Sequence, residues 1–302
     1  MHIRALEWTD RFQRYLTTER QVSPHTASAY RLELMALVAF CDGELIEDWS
    51  AVLVSHIRTF AARSHAGGLS PQSIQRRLSA VRTFMKFLIR EGVIGANVAE
   101  LVQAPRSTRR LPSVLDIDQM KRLIEIPADE VYGIRDRAIM ELLYSSGLRL
   151  IELVRLDRTD LDFADRTVRV LGKGNVTRIV PVGSLAIEAL KRWRGTRGKL
   201  ARPDQPALFV GRGGRRLNRR AVQMRVAYWA RRQGIPVRVY PHLFRHSCAT
   251  HVLESSGDIR AVQDLLGHAS ISTTAIYTSL DSQHLIKVYQ NTHPRAHRKS
   301  QP

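Results

Sequence analysis

One stretch of this chain departs from a helical periodicity, and it limits the possible folds more than any other. In TVRVLGKGNVTRIVPVG (167–183), apolar and polar residues alternate on both sides of a Gly172-Lys173-Gly174-Asn175 turn. That period of two predicts a β-hairpin. Elsewhere the period is helical. Apolar residues recur every three or four positions in ALEWTDRFQRYL and AYRLELMALVAF. Ser23-Pro24 and Ser70-Pro71 are matching start signals, because serine accepts orphan N–H groups and proline sits where no N–H is needed. The second opens a helix with Ile74, Leu78, Val81, Met85 and Leu88 on one face, Arg76, Arg77 and Arg82 largely off it, and Gly92 as its stop. A further helix is expected from Ala51 to about Ser64, which makes a four-helix bundle.

Past the bundle, APRSTRRLPS (104–113) has no periodicity and reads as an interdomain linker. Two domains are therefore expected, 1–105 and 106–302. In the second, helices are expected at about 116–125 and 133–146, the latter ended by Gly147. After the hairpin they resume at about 184–195, 218–233, 241–255, 258–266 and 282–290.

The chain carries a net charge of +19, unevenly spread. Residues 1–105 hold 12 Lys+Arg against 10 Asp+Glu, and the remainder 35 against 18. Residues 191–238 alone hold 15 basic residues and one acid, Asp204, interleaved with Trp193, Tyr228 and Trp229. A long, almost acid-free basic run of this kind points to a polyanionic partner, with nucleic acid favoured over a membrane. Apolar runs such as 34–40 fall far short of the ~20 residues that span a bilayer. The polar N-terminus shows no signal-peptide core. The two cysteines, Cys41 and Cys248, are far apart, which excludes a disulfide scaffold or a four-cysteine zinc site and suits the cytoplasm.

Candidate chemistry is concentrated in short segments: Gly147-Leu148-Arg149, Gly172-Lys173-Gly174, His242-Leu243-Phe244-Arg245, Gly267-His268 and Tyr277. His242 and Arg245 share a face at the start of a helix, near the positive end of its dipole, where a phosphate binds well. Arg149 would add a second guanidinium fork, matched to phosphate. Lys173, on a glycine-flanked tip, could deliver a proton, and Tyr277 offers a hydroxyl that becomes nucleophilic once deprotonated. His242, His246 and His251 do not make a metal site of the HExxH type, because Leu243 stands where the glutamate belongs and His251 falls off the shared face. No GxxxxGK[ST] loop occurs, so ATP hydrolysis is not expected.

Taken together, SSGLRLIELVRLDRTDLDF (145–163), VLGKGNVTRIVPVG (170–183), the segment 241–281 and HPRA (293–296) make the sequence similar to the tyrosine recombinases, or phage integrases, and within them to the Xer subfamily. LESSGDIR and the VYQNTHPRA ending resemble its XerC rather than its XerD branch, and SPHTASAYRLEL resembles the family's core-binding domain. The resemblance implies a mainly α protein: an N-terminal four-helix, SAM-like core-binding domain and an α+β catalytic domain with a small sheet, closing as a C-shaped clamp on DNA.

By the same resemblance, Arg149, Lys173, His242, Arg245, His268 and Tyr277 form the catalytic set, with Tyr277 as nucleophile and Lys173 as general acid. The resemblance also implies strand exchange at a dif-type dimer-resolution site on double-stranded DNA, with no metal or other cofactor. An XerD-like partner in a heterotetramer and an FtsK-type translocase are implied as well, with a C-terminal segment at about 282–294 docking into a neighbouring subunit. Leu243-Phe244 stands where Lys-Leu is usual, and Ser279 where histidine is common. The alternatives are a phage- or transposon-type integrase, a type IB topoisomerase and a DNA-binding protein without activity. An extra arm-binding domain, expected of an integrase, is not seen ahead of the first bundle.

Overall fold

The computed structural model describes residues 3–105, 114–172, 177–266 and 289–296, and the chain divides into two compact units, Met1–Arg110 and Leu111–Pro302. Unit 1 is built from α1 (Ile3–Thr18), α2 (Pro24–Gly43), α3 (Val54–Ala66) and α4 (Pro71–Arg90). Both expected caps form: the Ser23 hydroxyl accepts the Thr26 N–H at 3.1 Å, and Ser70 accepts that of Ser73 at 3.2 Å. The five apolar residues predicted to line one face of α4 are all buried, joined by Phe84 and Phe87. Trp49 stacks edge-on against Phe84 at 4.8 Å. It belongs to a 3₁₀ turn, Trp49–Ala51, whose start Asp48 caps through the Ser50 N–H, so α3 begins three residues later than the periodicity suggested. Two of the α4 arginines serve the fold. Arg77 pairs with buried Glu33 of α2, and Arg82 donates to the carbonyls of Ala99 and Val102.

Unit 2 begins with α5 (Ile117–Ile124), α6 (Val131–Ser145) and α7 (Leu150–Arg155), followed by the strands β1 (Leu161–Asp162), β2 (Thr167–Leu171) and β3 (Thr177–Pro181). It continues with α8 (Ser184–Arg197), α9 (Arg219–Arg232), α10 (Pro241–Ser256) and α11 (Ile259–Leu266). The hairpin forms in antiparallel register, Val168 opposite Val180 and Leu171 opposite Thr177, and β1 extends it to a three-stranded sheet. A two-residue strand and the six-residue α7 are too short to leave a periodic signal. The linker 104–113 and the helix expected at 282–290 lie largely outside the described residues.

At the centre of unit 2 is α6, buried from Gly133 to Ser145 except at Arg137. A helix buried all round must pair its polar groups, and α6 does. Asp136 accepts from Arg135, Arg225 and the Trp229 indole. Glu141 takes both Nε and Nη2 of Arg295. The Tyr144 hydroxyl meets His251 Nδ1 at 2.8 Å, and Ser145 Oγ meets the Tyr289 hydroxyl at 2.6 Å. Residues 289–296 thus lie against their own unit. Gly183 permits this, since a Cβ there would fall 2.4 Å from the Arg295 carbonyl oxygen.

His293 lies in this interior, its Nδ1 accepting the Arg295 N–H at 3.1 Å. Burial, with the charges of His251 and Arg295, pushes its imidazole down to about 3. The unfolded chain, with an ordinary histidine near 6.5, then binds a proton that the folded chain refuses. Stability is expected to be full above pH 6.5 and to fall as pH drops below it, by about 1.4 kcal/mol per pH unit for this group. His251, also lowered by burial, adds a loss of the same sign. Denaturant titrations at pH 7, 6 and 5 should show this slope, and a shallower one in His293→Asn. Equal slopes would reject the assignment.

The basic run 191–238 is more structural than its charge suggests. Trp193 and Trp229 are core residues, not stacking platforms: Trp193 Nε1 donates to the Leu208 carbonyl at 2.9 Å, and Trp229 to Asp136. Arg197 is buried and donates to the carbonyls of Gln205 and Ala207. Arg216 caps the end of α7 at the carbonyls of Val154, Arg155 and Leu156. Lys191, Lys199, Arg212, Arg215, Arg219 and Arg220 remain exposed for a polyanion.

Candidate active site

The site begins where α6 ends. Gly147 takes φ +56°, a left-handed turn that a side chain would strain, and its missing Cβ leaves room for Leu266 and Cys248, 3.0 and 3.4 Å away. This turn delivers Arg149 to the start of α7. Three residues on, Glu152 reaches back: its Oε2 accepts the Arg149 backbone N–H at 2.8 Å, and its Oε1 accepts Arg149 Nη1 at 2.9 Å. From β3, Arg178 grips the same carboxylate with both Nη atoms, at 2.8 and 3.0 Å. Burial works against a charged Glu152, whose side chain is 2% exposed, but the hydrogen bonds and charges of Arg178 and Arg149 outweigh it and hold the carboxyl below its ordinary range. The Arg149 side chain stays 33% exposed, so it is anchored at one edge and open to solvent.

Arg245 lies in the first turns of α10, 5% exposed, with Nη1 donating to the Gly147 carbonyl at 2.6 Å and Nη2 to that of Leu266. It therefore ties the turn before Arg149 to the end of α11, one residue before Gly267-His268. Burial and the charge of Arg149 pull its guanidinium down to about 10, well above neutrality, so it remains a cation. His242, three residues earlier, is exposed, with its ring 6.1 Å from that of His246. Partial desolvation and the charges of His246, Arg245 and Arg149 hold it below its ordinary value. A neutral imidazole beside two guanidiniums can accept a proton where a phosphate would be gripped.

Of the six residues singled out from sequence, the structure thus gathers Arg149, His242 and Arg245. Lys173, His268 and Tyr277, like Ser279, lie outside the described residues. The β2–β3 hairpin is described as far as the Leu171–Thr177 rung. His251, in contrast, is buried against Tyr144 and does not join His242 and His246. Sequence reasoning missed Glu152 and Arg178. The signals available were a glutamate at the third position of a helix led by Arg149, and a charged residue in an inward-facing strand position.

Comparison with known proteins gives this geometry its context. The model of the phage integrase family matches residues 113–284, more than half of the chain. The chain belongs to the phage integrase family of tyrosine recombinases. The family's N-terminal SAM-like domain matches residues 9–92. The chain is 49% identical over 295 residues to the tyrosine recombinase XerC of Xanthomonas campestris pv. campestris (strain B100), covering 98% of this chain and 91% of the relative. To the tyrosine recombinase XerC of Shewanella amazonensis it is 49% identical over 292 residues, 97% of each chain.

Among solved structures, XerH site-specific recombinase bound to a palindromic difH substrate shares the fold, with TM-score 0.72 and 21% identity over 93% of this chain and 84% of that one. The Tn1549 transposon integrase in complex with transposon right end DNA does so with TM-score 0.72 and 20% identity over 92% and 98%. Within the family this recombinase is of the XerC type, and its activity is DNA strand cleavage and rejoining. Among the described residues, no helix is long and apolar enough to cross a membrane.

Proposed function

We propose that this recombinase resolves chromosome and plasmid dimers at a dif-type site on double-stranded DNA, with Arg149, Lys173, His242, Arg245, His268 and Tyr277 as its catalytic residues. The observation that carries the reading is the pair Arg149 and Arg245, held around one turn by a buried carboxylate and two backbone carbonyls, with His242 beside them. In this reading the Tyr277 oxygen attacks the phosphorus in line, and its proton passes to His242. A 3′-phosphotyrosyl bond forms, and the bond to the 5′-oxygen breaks, Lys173 supplying that oxygen with a proton. Arg149 and Arg245 meet the charge on the non-bridging oxygens, where one preorganised donor is worth about 3 kcal/mol. His268 adds a hydrogen bond. The phosphotyrosyl ester conserves the energy of the broken linkage, so a 5′-hydroxyl of a partner strand reverses the step without ATP, and the cations supply the charge that a metal otherwise would.

The domain assignment, 1–105 for core binding and 106–302 for catalysis, belongs to the same reading. So do an XerD-like partner in a heterotetramer, an FtsK-type translocase and a place in the cytoplasm. The high identity to XerC relatives supports these roles. The test is covalent trapping on a nicked duplex carrying the host's dimer-resolution site, with and without the partner recombinase. An SDS-stable adduct is expected. Its absence with both subunits present overturns the proposal. Lys173→Ala is expected to lose the adduct on the ordinary substrate and recover it where sulfur replaces the 5′-bridging oxygen, because a thiolate leaves without a proton. Failure of that rescue rejects Lys173 as the general acid.

A further inference from the structure

Arg178 has no part in the reaction just described, yet it is placed where the reaction can feel it. Its inward position on β3, opposite Val170, continues a row otherwise filled by Val168, Val170 and Val180. An apolar residue would suit that row, and a buried ion pair is rarely more stable than a well-packed apolar replacement. The guanidinium is also incompletely satisfied: both Nη atoms bind Glu152, but Nε finds no hydrogen-bond partner among the described residues. The arrangement is costly as a stability device, so its use has to be sought in what it holds.

What it holds is Glu152, and Glu152 holds Arg149. The carboxylate offers two oxygens to three groups: the Arg149 N–H, Arg149 Nη1 and the Arg178 fork. With its side chain only 2% exposed, Glu152 depends on a buried cation to stay ionised. Arg149 alone is a weaker guarantor, since a third of its side chain faces solvent. Without Arg178, Glu152 would lose two hydrogen bonds and its buried cation, which favours its protonated form and weakens the charged acceptor that now pins the edge of Arg149 at 2.9 Å. The negative charge of Glu152 also offsets the crowding of cations around Arg245.

We propose that Arg178 is a positioning residue for strand cleavage: by keeping the buried Glu152 ionised from β3, it fixes the orientation in which Arg149 meets the scissile phosphate. This rests on the proposed role of Arg149. A displacement of about 1 Å in such a group can cost about 100-fold in rate.

The test uses the full chain and two variants, Arg178→Met, which keeps length without charge, and Arg178→Lys, which keeps charge without the fork. Adduct formation is followed in single turnover at saturating nicked duplex. The substrates carry either the ordinary phosphodiester or a methylphosphonate, which lacks the oxygen charge that Arg149 would meet. Arg178→Met is expected to bind DNA within about twofold of the unsubstituted protein and to form adduct about 100-fold more slowly on the phosphodiester. The deficit should shrink on the methylphosphonate, and Arg178→Lys should fall between. A general loss of structure would slow both substrates alike, and that outcome, or undiminished cleavage by Arg178→Met, overturns the proposal. If Arg178→Met does not fold, Arg178→Lys carries the same contrast between substrates.

A second measurement needs no DNA. The ¹³C resonance of the Glu152 carboxyl should titrate at higher pH in the variants than in the unsubstituted protein, and an unchanged titration rejects the role. Absence of adduct from the unsubstituted protein counts instead against the proposed function, and the carboxyl titration still decides on Arg178.

Discussion

Tyr277→Phe is expected to leave DNA binding intact and to abolish the covalent adduct. The substitution removes a single oxygen, the atom that would become bonded to phosphorus. The substitution removes no cation, so affinity and its salt dependence should be unchanged. Chemistry should fall by at least about 10⁴-fold, because removing a nucleophile that acts as a unit with its neighbours forfeits nearly the whole of their joint effect. The assay is SDS gel electrophoresis of a nicked duplex labelled on the strand that keeps the 3′-phosphate. A covalent band from the phenylalanine variant would show that another residue attacks, and Tyr277 would lose its assignment.

Arg295→Ala is expected to produce the largest change in stability. Glu141 is 0% exposed, and both of its oxygens are taken by Arg295. Burial opposes the charge on Arg295, but the carboxylates of Glu141 and Glu125 keep it firmly protonated. Truncating one partner of such a pair strands the other charge in the interior, which costs about 3–5 kcal/mol. In a unit of this size that corresponds to a fall in Tm of roughly 10 °C. The loss extends beyond the pair. Arg295 belongs to a segment in which the Tyr289 hydroxyl binds Ser145 and the Ala296 carbonyl accepts the Ser184 N–H at 3.1 Å, so its release would uncover the C-terminal end of α6. That end leads directly into the Gly147 turn and Arg149. The double variant Glu141→Leu, Arg295→Met, apolar on both sides, should recover much of the stability. Calorimetry on the three proteins separates the cases, and a single variant that melts with the unsubstituted chain would show the pair to be dispensable.

Much of the architecture was legible in the chain itself, for a local reason. A helix writes its buried face into spacings of three and four, a strand into alternation, and their ends into serine, proline and glycine. So α4 with its Ser70-Pro71 start, the hairpin around Gly172-Lys173-Gly174-Asn175, and the turn at Gly147 could all be read directly. The family resemblance named Arg149, His242 and Arg245, and the fold brings those three together.

What the sequence could not show is how charges are divided between the fold and the chemistry. Trp193, Trp229, Arg197 and Arg216 all fall in the basic run 191–238, whose charge points as a whole to a polyanion. Packing turned the first two inward and set the other two on backbone carbonyls. Residues 26 positions apart join Arg178 to Glu152, and 154 positions separate Arg295 from Glu141. No local pattern encodes such pairings, because a buried charge is tolerated only where a partner from another element completes it. The sequence by itself therefore determined the longer elements, their order and the chemistry-bearing residue types, but not α7, β1 or the Trp49–Ala51 turn. Tertiary structure alone decided which arginines stay free for DNA, which serve the fold, and that Arg149 is held by a buried carboxylate that a third element keeps ionised.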